Sequence, residues 1–311
     1  MIKWIIKKTI PDYQNVTNKK VREHYGVLAG VLGILANFTL FAVKLVIGLI
    51  VNSIGVISDA FNNLSDMASS IVAVLGSKLS NKTPDEEHPY GHGRLEYIAS
   101  LIVSMIIVIV GFELGKNSFD KIINPEVVVP SIALYIILGL AILLKLWMFS
   151  YNRYIAKKIK SKINKATSID SLNDVFITSG VTIAIIIGQF TTLPVDGIMG
   201  MIIAIMIVWS GFSLVKDSAS TLIGCAPDPK LVKKIEAIVT SHPMVIATHD
   251  IIVHDYGPGH SLASIHAEVS DQLSLIEAHR AVDEMEKKVL TDLGVDLVIH
   301  IDPVTISNKG E

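Results

Sequence analysis

Six apolar runs, at residues 27–50, 54–79, 95–115, 128–149, 169–190 and 198–223, fill most of the first two thirds of this 311-residue chain. Each is about 20 residues or longer, which at 1.5 Å per helical residue crosses a hydrocarbon layer of roughly 30 Å. With 50% apolar and only 18% charged residues, the composition is wrong for one soluble domain and right for a membrane-spanning one followed by something smaller. Basic residues set the expected orientation. Lys19, Lys20 and Arg22 precede the first run, Lys82 and Arg94 lie in the second connection, and Arg153, Lys157, Lys158, Lys160, Lys162 and Lys165 crowd the fourth. Asn52-Ser53 and residues 191–196, the first and fifth connections, carry none, and the third carries Lys116 and Lys121. Six transmembrane helices with both termini cytoplasmic satisfy this pattern. Residues 1–26 are expected to be a cytoplasmic tail, because lysines interrupt its apolar residues too often for a signal-peptide core and no small-residue cleavage site follows. The lack of a targeting segment points to a plasma membrane of bacterial type.

The six-helix domain is expected over residues 27–224 and a second, cytoplasmic domain over 225–311, because the composition changes after Ala226-Pro227-Asp228-Pro229. Asp228 before Pro229 is a helix-start signal for residues 231–241. Residues 247–255 and 263–269 are rich in β-branched side chains and separated by Gly257-Pro258-Gly259, a turn between antiparallel strands. Residues 275–293 form an amphipathic helix pattern and 295–301 alternate as a strand. The order α-β-β-α-β predicts a small α+β sandwich, one helical layer on one sheet. With 27 basic against 29 acidic residues and no basic tract interleaved with aromatics, nucleic acid is not a partner this chain is built for. The single cysteine, Cys225, leaves no disulfide framework and no CxxC motif.

Carboxylates inside the apolar runs are the strongest chemical signal. In Ser58-Asp59-Ala60-Phe61-Asn62-Asn63-Leu64-Ser65-Asp66, residues 59, 62 and 66 share one helical stripe, and in the fifth run Asp170 and Asp174 stack one turn apart. An Asp at the centre of a membrane helix costs about 2.5 to 3.5 kcal/mol on insertion scales, which a bound cation or a wet pathway would offset. Asn62, Asp66, Asp170 and Asp174 make a compact site of oxygen donors alone, suited to Mn²⁺, Mg²⁺ or Ca²⁺ rather than to Zn²⁺, which favours tetrahedral nitrogen and sulfur ligation. Asp59 has two other readings, a pair with Lys44 or with Arg94.

Histidines supply two further candidates. In the second connection Asp85, His88 and His92 can converge in a loop kept tight by Gly91 and Gly93, either as metal ligands or as a solvated polar loop. Seven of the ten histidines follow residue 240. His300 and Asp302 lie two apart on the last strand, hence on one sheet face, with His249 and His266 on the other strands and His279 on the second helix. Five candidate ligands from four elements favour a metal site there.

These residues carry a resemblance: the chain is similar to the cation diffusion facilitators, a family of divalent-metal/proton antiporters. It extends over nearly the whole chain and rests on residues 58–66, on His88-Pro89-Tyr90-Gly91-His92-Gly93-Arg94-Leu95-Glu96 and on residues 298–303. The resemblance implies a homodimer whose cytoplasmic domain has a metallochaperone-like fold. It also implies a transport site of two pairs, Asn62/Asp66 and Asp170/Asp174, a loop site at Asp85, His88 and His92, and a regulatory site at His249, His266, His279, His300 and Asp302. Zinc-transporting relatives usually carry His at the position of Asp170 and Asp or His at that of Asn62. The departure at both positions resembles the manganese-exporting branch, with Fe²⁺ and Zn²⁺ as alternatives. The mechanism implied is alternating access, Mn²⁺ leaving the cytoplasm in exchange for protons that enter the carboxylate site. A metal-gated channel or sensor would share every site. An enzyme is not expected: Asp66 and Asp174 lack the Gly-x-Gly-Asp context of an intramembrane aspartyl protease, and no HExxH occurs.

Overall fold

The computed structural model describes residues 2–15, 19–80, 85–126, 128–159, 161–257 and 260–305. Two compact units emerge, one comprising Met1–Val74 with Ile102–Val215 and the other Leu75–Leu101 with Lys216–Glu311. The first holds α1 (Ile2–Thr9), α2 (Lys19–Val51), α5 (Ile132–Ile159), α6 (Lys162–Gly188) and the greater part of α3 (Ile54–Ser80), α4 (Leu95–Ile123) and α7 (Val195–Ile223). The second contains α8 (Pro229–Thr240), β1 (Val245–Asp255), β2 (Ser261–Ser270), α9 (Leu275–Leu293) and β3 (Val295–Val304).

Among the described residues, five of the six long helices, α2 and α4 to α7, are long and apolar enough to cross a membrane. They carry outward rows of large apolar side chains such as Val46, Ile109, Leu140, Ile183 and Trp209, the face that lipid would cover. α3 differs because it is the inner helix: no residue between Ile54 and Ala68 is exposed. A helix that does not face lipid need not be apolar all round, which is why α3 tolerates Asp59, Asn62, Asn63 and Asp66. Its interior neighbours include Ile47, Val51, Leu134, Leu138, Val181, Ile185, Ile203 and Ile207. α4 and α7 approach through small residues, as membrane helices do. A Cβ on Gly111 would sit 2.7 Å from Val208, and one on Gly211 2.6 Å from Val108, so neither position has room for a side chain.

The turn between α2 and α3 is only Asn52-Ser53, with Asn52 at φ +56°. Asp196, at the start of α7, closes it: its carboxylate accepts from the Ile54 N–H at 2.8 Å and from the Ser53 hydroxyl at 2.5 Å, capping α3. The N-terminal segment is not a loose tail. Ile6 and Ile10 are buried with Tyr25, Tyr151, Ile155 and Ile159, so α1 is pinned on α2 and α5.

One buried ion pair ties three helices together. Lys44 Nζ lies 2.8 Å from Asp59 Oδ2 and 3.0 Å from Thr178 Oγ1, and the Thr178 hydroxyl donates to the same Asp59 oxygen at 2.9 Å. The side chains of Lys44 and Asp59 are fully enclosed. Of the two partners expected for Asp59, Lys44 is the one used. Arg94 instead donates to the Asp255 carbonyl.

In the second unit the sheet order is β1-β2-β3, with β1 antiparallel and β3 parallel to β2. Gly257, at φ +120°, begins the β1–β2 connection as expected, while positions 258 and 259 of that turn lie outside the described residues. Ala263, Ile265 and Ala267 of β2 and Val295, Leu297 and Ile299 of β3 face a core completed by Ile235 and Val239 of α8 and by Ala281, Met285 and Val289 of α9. Because strand side chains alternate, the even-numbered residues of β2 and β3 lie on the face away from the helices. α9 starts on a capping box of Ser274 and Glu277 and ends on Gly294 in the left-handed region.

Two outcomes follow. Removing one partner of a buried ion pair leaves the other charge uncompensated, at a cost of about 3 kcal/mol. Lys44→Met should therefore lower the thermal unfolding midpoint in detergent, and adding Asp59→Leu should restore most of the loss; equal losses in single and double variants would contradict the pairing. In the capping box, the hydroxyl and amide of Ser274 hold the Glu277 carboxyl below its ordinary value. That contribution is present above the ordinary carboxylate range and lost as pH falls through the lowered value. Hydrogen exchange in α9 should accordingly distinguish Glu277→Gln from the parent chain at pH 7 and cease to do so at strongly acidic pH.

Candidate metal sites

On α3 and α6, Asp66 and Asp174 converge on a group absent from the sequence-based expectation, the ammonium of Lys145 on α5, and Asn62 joins them through Asp174. Lys145 Nζ stands 2.5 Å from Asp174 Oδ2, 3.3 Å from Asp66 Oδ2 and 2.8 Å from Asn37 Oδ1 of α2. Asn62 donates its amide N–H to the other oxygen of Asp174 at 2.8 Å. Four helices thus meet at this polar cluster. Lys145 is 1% exposed and Asp174 7%, but the Asp66 side chain is 35% exposed. Asp170 is exposed, one helical turn from Asp174 toward the start of α6, and is not among the residues hydrogen-bonded to Lys145. The cluster is therefore open on the side of Asp66 and Asp170 and sealed toward the Lys44–Asp59–Thr178 layer. A signal for Lys145 was present: an ionisable residue alone in a long apolar run marks either a pathway or a buried counter-charge.

Asp85, His88 and His92 do come together, and the atoms they would offer a metal all lie within 4.8 Å of one another. Asp85 Oδ1 accepts from the His88 N–H at 2.8 Å, and Asp85 Oδ2 lies 3.3 Å from Nε2 of the buried His92. Gly91, at φ +82°, turns the chain so that the two imidazoles stand 4.5 Å apart. Neighbouring backbone fixes the loop, for a Cβ on Gly93 would lie 2.5 Å from the Tyr256 carbonyl oxygen.

The third group is a row across the sheet. His249 pairs in register with His266, and His266 with His300, which places three imidazoles side by side on the face away from the helices. Asp302 Oδ2 lies 2.9 Å from His266 Nδ1 and 3.2 Å from His249 Nε2, while Asp302 Oδ1 lies 3.5 Å from His300 Nε2. The hydrogen bond from His266, followed by the charges of the surrounding histidines, holds the Asp302 carboxyl below its ordinary value, so it is ionised and available as an oxygen donor. His279 is not brought to this row. It is exposed on α9, whose buried residues pack on the opposite face of the sheet, so the sheet itself stands between them.

Comparison with known proteins matches the chain in two successive parts. Residues 30–223 match the cation efflux transmembrane domain, and residues 227–304 the cytoplasmic domain of cation efflux proteins. An uncharacterised transporter of Methanocaldococcus jannaschii is 32% identical over 80% of this chain and 88% of its own. The manganese efflux system protein MneS of Bacillus subtilis is 30% identical over 90% and 96%. The cation-efflux pump FieF of Yersinia enterocolitica is 28% identical over 83% and 86%. A buried cluster of carboxylates between membrane helices, the two matched domains and relatives aligned over most of both chains lead to one conclusion: this chain belongs to the cation efflux, or cation diffusion facilitator, family of divalent-cation transporters.

Proposed function

We propose that the chain exports Mn²⁺ from the cytoplasm in exchange for protons, holding the metal at Asn62, Asp66, Asp170 and Asp174. The observation that supports this reading best is the convergence of Asp66 and Asp174 on a single buried cation, Lys145, with Asn62 bonded to Asp174 beside it, in a cluster that offers oxygen and no histidine to a metal. Oxygen donors suit Mn²⁺, and imidazole would be expected where Zn²⁺ is the cargo. The manganese efflux protein among the relatives agrees with this choice. Asp170, a turn below Asp174 on the open side, completes the oxygen set when the side chains close around an ion. Proton coupling rests on the same oxygens, because a carboxylate binds metal only when deprotonated, so proton uptake at the site would release the ion.

The proposal includes a plasma-membrane homodimer with both termini cytoplasmic and with further metal at Asp85, His88 and His92 and at His249, His266, His300 and Asp302. His279 stands apart from the latter within one copy of the chain, because the sheet intervenes. Metal bound there would favour one arrangement of the two cytoplasmic domains, and it regulates transport to the extent that the two arrangements differ in metal affinity.

In proteoliposomes with an imposed pH gradient, Mn²⁺ flux should depend on the gradient and be abolished by Asp174→Ala. Zn²⁺ or Fe²⁺ moving as fast as Mn²⁺ would refute the selectivity, and flux that ignores the gradient would assign a channel instead. In the purified chain, His266→Ala should remove bound metal from the sheet face while leaving gradient-driven flux measurable at saturating Mn²⁺; loss of all flux would place the sheet row in the transport path.

A further inference from the structure

We infer that Lys145 is a tethered cation that fills the transport site when no divalent metal is present and must be drawn off toward Asn37 before metal can bind. The inference rests on the reading of Asn62, Asp66, Asp170 and Asp174 as the transport site. It begins from how fully Asp174 is committed. Its Oδ2 receives Lys145 at 2.5 Å and its Oδ1 receives the Asn62 amide N–H at 2.8 Å, so both oxygens already face donors. The second carboxylate, Asp66, shares the same ammonium at 3.3 Å. A divalent ion ligated by these oxygens would stand next to the ammonium, and two cations cannot share the same lone pairs in a poorly solvated site. Asn62 faces the same conflict, because an amide offers its oxygen to a metal and here presents its nitrogen to Asp174. This geometry is the lysine-filled form of the site.

Asn37 supplies what the exchange requires. Its side-chain oxygen already accepts from Lys145 at 2.8 Å from a different helix, α2, and Asn37 is buried. When Lys145 gives up Asp66 and Asp174, this contact remains, so the ammonium is not stranded among apolar side chains, where an unpaired charge is costly. The lysine thereby does two things. It compensates part of the carboxylate charge during the metal-free return step, the rest being left to protons, and it competes with metal, which favours release.

Mn²⁺ binding to the full-length chain in detergent tests this by isothermal titration calorimetry, the membrane site being defined as the component that Asp174→Asn removes. Lys145→Gln should bind Mn²⁺ at that component at least tenfold more tightly, and Lys145→Arg, which retains the cation, should not. Asn37→Leu, which removes the alternative partner, should bind more weakly. In proteoliposomes Lys145→Gln should turn over more slowly at saturating Mn²⁺, because release loses its competitor. A lysine that merely holds the fold together would give weaker binding on removal, so the sign of the change is decisive. Unchanged or weaker binding in Lys145→Gln, with the wild-type component intact, overturns the inference alone. Should Lys145→Gln fail to fold, Asn37→Leu decides, and unchanged affinity there overturns it. If the wild-type chain has no component that Asp174→Asn removes, the transport-site reading falls and the inference falls with it.

Discussion

A carboxylate enclosed by membrane helices must be neutralised, and most of what is particular to this protein follows from how that is done twice. Three of the four aspartates that this chain carries in α3 and α6 lie against two lysines that descend from α2 and α5. The two layers differ in how they are closed. Around Asp59, Lys44 and Thr178 the side chains are fully enclosed, and the pair acts as a bolt between α2, α3 and α6. Around Asp66 and Asp174 the enclosure is incomplete, with Asp66 partly exposed and Asp170 outside the hydrogen-bonded set. The bundle is thus tied together by a fully enclosed pair on one side of a cluster that stays accessible on the other.

The cytoplasmic domain solves a different problem with ordinary means. Its sheet spends one face on the core with α8 and α9, and the alternation of strand side chains then delivers His266, His300 and Asp302 to the other face, beside His249. The loop of Asp85, His88 and His92 is built by local contacts and a positive-φ glycine. Both groups are at or near the surface, where ligation costs little desolvation, in contrast with the membrane cluster, where every charge must be answered.

Much of this was legible in the sequence because apolar runs and their spacing are direct consequences of the bilayer. Helix existence, the α-β-β-α-β order and the stripe through Asp59, Asn62 and Asp66 all follow from periodicity. Residues 27–50 understate α2, which begins at Lys19, because helical hydrogen bonding continues past the apolar segment into polar residues. The partners of the aspartates were harder to read. Nothing local distinguishes Lys44 from Arg94 as a partner for Asp59, since the choice depends on which helices touch. Lys145 and Asn37 lie 79 and 29 residues from Asp66, so no spacing rule links them. Residue type and the family resemblance both group His279 with the sheet histidines, and only the packing of α9 on one sheet face separates them.

The central claim is that a cation sits between α3 and α6 on oxygen ligands and that Lys145 gives way to it. Anomalous scattering from crystals of the full chain grown with Mn²⁺ addresses both parts at once. The account predicts a Mn²⁺ peak within direct ligation distance, about 2.2 Å, of carboxylate oxygens of Asp66 and Asp174, with the Lys145 ammonium withdrawn to Asn37. Mn²⁺ found at the sheet histidines alone, with Lys145 still seated on Asp174 at saturating metal, would contradict it.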